Sequence, residues 1–236
     1  GKAEDATSWG NAAAAASWAS DRLAKAIEAR AVGTDAKLEE ATRWEEAARE
    51  EQKRSDYNLK VIEARVAGKE EDAKSWTNAA SGAQYASDRL AKAIEARAVG
   101  TDAKLEEATR WEEAARERQK QSDYHLKAIE TRAQGKAEDA KSWSNAAAAA
   151  SWASDRLAKA IEARAAGTRE KLEEATRWEE AAALNRQAYE YWINATQERA
   201  RGNNAGPAGA AHWDREAQKK FNEAKALADG IKNERK

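Results

Sequence analysis

Two histidines, His125 and His212, are the only imidazoles in the 236 residues, and cysteine and methionine are absent. A zinc site draws on several His or Cys ligands; two histidines far apart in the chain do not supply one. Without cysteine there is no disulfide and no thiol chemistry. His125 occupies a place where an otherwise matching segment carries Asn58, so the local pattern does not require it. No glycine-rich phosphate loop and no Ser/His/Asp set is present. Carboxylates are plentiful, but most recur at regular intervals beside a basic residue. That is how a solvated helix face behaves, whereas a catalytic pair is expected once. Asn194-Ala195-Thr196 matches the glycosylation tripeptide, yet it falls inside a predicted helix. The expectation is no catalytic residue, no cofactor and no bound metal.

The elements that hold these residues are set by a repeat. Seven tryptophans, Trp9, Trp44, Trp76, Trp111, Trp143, Trp178 and Trp213, follow one another at steps of 32 or 35. Gly1, Gly33, Gly68, Gly100, Gly135, Gly167 and Gly202 march with them. Self-similarity at such a period marks a stacked repeat array. The larger unit is 67 residues, beginning at Gly1, Gly68 and Gly135. Asp21–Glu50 and Asp88–Glu117 are identical at every position, and Asp155–Ala182 departs only at Ala166, Arg169 and Glu170. Recent duplication or deliberate design produces such uniformity. Each 67-residue unit is itself a doublet whose halves differ by Thr34-Asp35-Ala36, directly after Gly33. Insertions settle in loops, so the glycines are expected at the turns.

Composition agrees with helices. The chain has 61 alanines, 35% charged residues and a single proline. That profile belongs to long helices, and ten tryptophans argue for a core rather than disorder. A pair of short helices per unit would resemble a tetratricopeptide or Sel1-like repeat. Gly68, Ala73, Trp76 and Ala79-Ala80 are similar to the Gly-x4-Ala-x2-aromatic-x2-Ala signature of the second helix in those families. The second break those families need has one candidate, Ser20-Asp21 and its copies at Ser55, Ser87, Ser122 and Ser154. In the sixth unit the place is taken by Tyr189-Glu190. One uninterrupted helix per unit is the reading adopted. Acid clusters at each start (Glu4-Asp5, Glu39-Glu40, Glu70-Glu71-Asp72) and an arginine three residues before each closing glycine (Arg30, Arg65, Arg97, Arg132, Arg164, Arg199) complement the helix dipole. Thr34 and Thr101 offer N-caps.

Helices of roughly 30 residues are about 45 Å long, and short connections make neighbours antiparallel. The expected fold is all-α, a solenoid-like array of about seven long antiparallel helices. Three hairpin repeats (1–67, 68–134, 135–201) precede a loop and C-terminal capping helix over 203–236, with the loop at Asn203–Gly209. In the first helix Ala6, Trp9, Ala13, Ala16, Ser20, Leu23 and Ile27 form a heptad seam, and Ala12, Ala15, Ala19 and Ala26 form a second stripe. In the even helices Leu38, Ala41, Trp44, Ala48, Leu59, Ile62 and Val66 form the apolar face, while Glu45-Glu46, Arg49-Glu50-Glu51 and Lys53-Arg54 face water. Two layers follow, with the repeated tryptophans as core anchors.

A second aromatic series, Trp18, Tyr85 and Trp152, occurs only in the odd helices at 67-residue spacing. It either packs against a neighbouring helix or forms an exposed stripe that anchors a partner. A net charge of −1 offers no basic stripe for nucleic acid, and no apolar run approaches the roughly 20 residues of a membrane span. The functional expectation is a monomeric, non-catalytic helical-repeat module for protein–protein interaction or scaffolding, a fragment of a longer repeat protein. Its partner is a protein or peptide, neither nucleic acid nor a membrane interior. The alternatives are a rigid spacer of a surface or structural protein, and a designed or consensus repeat with no biological function.

Overall fold

A computed structural model describes residues 2–203 and 209–234. Seven α-helices and no strand occur among the described residues: α1 (Lys2–Val32), α2 (Asp35–Val66), α3 (Glu70–Val99), α4 (Asp102–Ala133), α5 (Ala137–Ala165), α6 (Arg169–Ala200) and α7 (Ala210–Asn233). The chain is an all-α helical repeat with consecutive helices packed antiparallel. None of the helices breaks near Ser20, Ser87 or Ser154. Gly1 lies outside the described residues, as do 204–208 of the loop expected between α6 and α7.

The turns are made by glycine. Gly33, Gly68, Gly100, Gly135, Gly167 and Gly202 all have φ between 69° and 76°, the left-handed region in which a Cβ is costly. Even helices close with a Schellman arrangement, in which the Lys69 N–H reaches the Ala64 carbonyl at 2.8 Å and the Lys136 N–H reaches that of Thr131 at 3.0 Å. Thr34, Thr101 and Thr168 cap the even helices by accepting from the N–H of Lys37, Lys104 and Lys171 at 3.3–3.4 Å. The three-residue difference between half-units is not a longer loop, as expected from sequence. Asp35 and Ala36 are the first helical residues of α2, so only Thr34 stays in the turn. The cap side chain lets the helix start earlier, and the extra residues become helix.

The chain comprises two compact units, Gly1–Ser122 and Asp123–Lys236, divided within α4. In the first, α1 touches α3 through Arg22 and Asp88 at 3.0 Å, and α2 touches α4 through Arg43 and Glu112 at 3.5 Å. Odd and even helices therefore form two layers. Ala26, Ala29, Ala41, Trp44, Ala47, Leu90, Ile94 and Ala115 pack between them. In the second unit α5 meets α7 through Trp152 and Phe221, and α4 meets α6 through Tyr124 and Tyr189. Alanine dominates the seams and lets backbones come close. At the tightest place a Cβ on Gly82 would stand 2.5 Å from the Ser122 hydroxyl and 3.0 Å from the Arg118 carbonyl oxygen.

Burial corrects three expectations. The first seam of α1, from Ala6 to Ile27, is exposed throughout, and the buried stripe is Ser8, Ala12, Ala15, Ala19, Arg22, Ala26 and Ala29. In α3 and α5 both stripes are inward, because helices flank them on two sides. Trp9 is therefore no core anchor at 58% exposed, whereas Trp44, Trp111 and Trp178 are buried. On α2 Leu38 and Val66 lie outside while Glu50 and Glu51 are buried. Arg49 and Lys53 of the same face stay exposed, and buried Glu51 meets Arg22 of α1, which reaches across to it at 3.5 Å.

Three of the serines read above as candidate breaks are helix-to-helix bolts. Ser87 donates its hydroxyl to the Ala47 carbonyl at 2.7 Å, Ser122 to that of Ala79 at 2.9 Å, and Ser55 to that of Ala12 at 3.1 Å. A small side chain with one donor suits a seam where two backbones nearly touch.

Candidate interaction surface

Trp18, Tyr85 and Trp152 each stand one turn before a buried arginine: Arg22, Arg89 and Arg156. The rings are 54%, 45% and 39% exposed. Each ring stands beside the second stripe of its helix, so it covers the edge of that seam without entering it. Tyr85 lies under two guanidiniums, with Arg118 of α4 at 4.4 Å and Arg89 at 5.7 Å from the ring centre. Trp152 packs edge-on against Phe221 of α7 at 5.9 Å and under Arg156 at 5.1 Å. Tyr85 and Trp152 thus pack on neighbouring helices and still keep accessible surface, and Trp18 is the most exposed of the three. Trp18 and Tyr85 occupy adjacent helices of the first unit, joined one turn further on by Arg22 and Asp88. Trp152 belongs to the second unit.

The buried arginines one turn after these aromatics went unnoticed in the sequence, although the signal was available. The heptad Ala12, Ala15, Ala19 continues through residue 22 to Ala26, which puts a guanidinium in a seam of alanines. Opposite it, the even helices carry Glu51, Arg118 and Asn185 at one register, all buried. Glu51 takes Arg22 at 3.5 Å and Arg54 at 3.2 Å. Arg118 donates to Gln121 at 2.8 Å. Arg156 donates instead to the Ala181 carbonyl at 3.4 Å, and burial pulls its pKa down to about 10. The identical stretches Asp21–Glu50 and Asp88–Glu117 stop one residue short of this register. Sequence variation resumes where the layers exchange charge.

Beside Trp152 an open groove of about 220 Å³ is lined by Asp155, Arg156, Lys159, Trp178, Ala228 and Lys232. Lys159 lies over Trp178 at 4.6 Å from the ring centre, as Lys25 does over Trp44 and Lys92 over Trp111. Cation over ring is thus a repeated structural contact. His125 is buried with Nδ1 unpartnered, and burial, with the Arg132 charge, pushes its pKa down to about 4. Among the described residues no group of three or more His, Asp or Glu is placed to hold a metal ion, and no helix is long and apolar enough to cross a membrane. Thr196 of the Asn194 tripeptide is buried within α6.

Compared with protein-family models, with curated proteins and with solved structures, the chain matches none.

Proposed function

We propose that the chain is a non-catalytic helical-repeat module that binds a protein partner through the exposed aromatics of its odd helices, Trp18 and Tyr85 in the first unit and Trp152 in the second. The observation that carries this reading is the exposure of all three residues at one repeat register, when Leu90 and Ile94 of α3 and Leu157 and Ile161 of α5 are buried. Trp and Tyr dominate binding hot spots because they offer large rigid contact area for little entropy loss. Charged side chains rim the rings, Asp155, Arg156, Lys159 and Lys232 about Trp152 and Arg89 and Arg118 about Tyr85, the polar border that surrounds an aromatic anchor at an interface. An amphipathic helix that sets its apolar face on such an aromatic and its polar flank on the charged border fits this chemistry. The recurrent carboxylates support a non-catalytic role, since they are tied to bases one turn away: Lys37 with Glu40, Arg43 with Glu39, Lys104 with Glu107 and Lys171 with Glu174.

The test is the triple variant W18A/Y85A/W152A compared with the parent chain in partner capture. The expected result is an unchanged helical circular dichroism signal together with loss of the captured partner. Retention of the same partner by the variant overturns the assignment. A second reading, a rigid spacer, is favoured by the identity of Asp21–Glu50 and Asp88–Glu117, since a specific surface usually diversifies between repeats. Under that reading the triple variant differs from the parent in fluorescence alone, and neither captures a partner.

A further inference from the structure

The exposed seam of α1 has two internal counterparts. Residue for residue, Ala6, Trp9, Ala13, Ala16, Ser20, Leu23 and Ile27 correspond to Ala73, Trp76, Ala80, Ala83, Ser87, Leu90 and Ile94 of α3, and to Ala140, Trp143, Ala147, Ala150, Ser154, Leu157 and Ile161 of α5. In α3 and α5 every one of these residues is buried, apart from the half-buried tryptophans. In α1 every one is exposed, with Ile27 at 68%.

What covers the α3 seam is α2, and the contacts are specific. Tyr57 packs on Trp76 at 5.4 Å between ring centres. The Ser87 hydroxyl donates to the Ala47 carbonyl at 2.7 Å. Leu90 and Ile94 join Ala41, Trp44 and Ala47 in one core. Tyr124 of α4 meets Trp143 of α5 in the same way, at 5.5 Å. On α1 the same ring, the same hydroxyl and the same two aliphatic side chains are set out at the same register, exposed, with no helix upon them among the described residues. Asp21 adds a charge to the pattern, because its counterpart Asp88 receives an arginine from the preceding odd helix.

We propose that this face of α1 docks an even-type helix of another hairpin of the same repeat, seated as α2 is seated on α3. Its requirements are a tyrosine opposite Trp9, a backbone carbonyl at close approach to Ser20, and an Ala-x2-Trp-x2-Ala segment over Leu23 and Ile27. A second copy of this chain does not meet them with its own even helices, since α2 lies between α1 and α3 and α6 is covered by α5 and α7, while α4 already bonds α3 through Ser122 and meets α5 through Tyr124. This face is separate from the Trp18 flank, so the proposal does not rest on the partner-binding reading.

The experiment extends the full chain with a second copy of residues 34–67 placed directly before Gly1, which reproduces the connection between α2 and α3. Hydrogen exchange read by mass spectrometry then reports on the added segment and on α1. The expected result is a protected, helical added segment and exchange in α1 slowed about tenfold or more. Ile27→Glu in the extended chain should return α1 to its unextended rate, while W18A leaves the protection in place. The same I27E change in the unextended chain should leave its unfolding midpoint unmoved, which separates loss of docking from loss of folding. An added segment that exchanges like an unfolded peptide overturns the proposal, as does protection indifferent to I27E. An unextended chain that sediments as a dimer dissolved by I27E overturns it too, in favour of a second copy as the occupant.

Discussion

A buried histidine ties stability to pH with a definite sign. His125 is held near pKa 4 in the folded chain against 6.5 for the free side chain. Its neutral form therefore stabilises the fold fully above pH 6.5, and that contribution drains away as pH falls toward 4. At about 1.4 kcal/mol per unit the loss is roughly 3 kcal/mol. His125→Asn, which restores the residue type of Asn58, should flatten the dependence. Urea unfolding of both chains at pH 7.5 and 4.5 checks this, and an equal loss of stability on acidification in both would refute it. The site was only half visible in the sequence. Exchange between Asn58 and His125 showed that the repeat does not require the imidazole, but not that both side chains are buried. Asn58 satisfies its amide on the Arg54 carbonyl at 2.9 Å. Polar residues in a seam of alanines escape a periodicity argument that counts apolar positions, which is also why Arg22 and Glu51 were missed.

At the scale of the helix the sequence was far more legible. Glycine at a left-handed C′ residue, acid in the first turn and arginine in the last are local chemistry, and local chemistry can be read without neighbours. Which face is buried cannot be read that way. The α1 seam and the α3 seam are nearly the same sequence, and only their place in the array decides which is inside. The tryptophans make that quantitative. Trp111 is 5% exposed and Trp9 58%. Trp111→Ala should cost about 3–5 kcal/mol by removing a buried anchor. Trp9→Ala should cost within about 1 kcal/mol, in the range of exposed-surface changes. Chemical denaturation of the two variants checks the contrast, and equal losses would contradict nearest-neighbour packing.

Across the molecule, helices are stabilised by the helices beside them. A hairpin alone buries one stripe, so a compact unit is larger than the 67-residue period. The alanine seams carry a consequence for how the protein answers temperature. Unfolding raises heat capacity in proportion to the apolar surface it exposes and lowers it in proportion to polar backbone. Methyl-sized side chains packed on closely spaced helices shift that balance toward backbone. Scanning calorimetry should therefore give a heat-capacity increment below the usual 12 cal/mol/K per residue or so. A value at or above about 15 would mean that the tryptophans, not the alanines, set the thermal response. With a small increment the curve of free energy against temperature is shallow. Chilling such an array costs it little, and its resistance to cold comes from the same small side chains that let its helices lie so close.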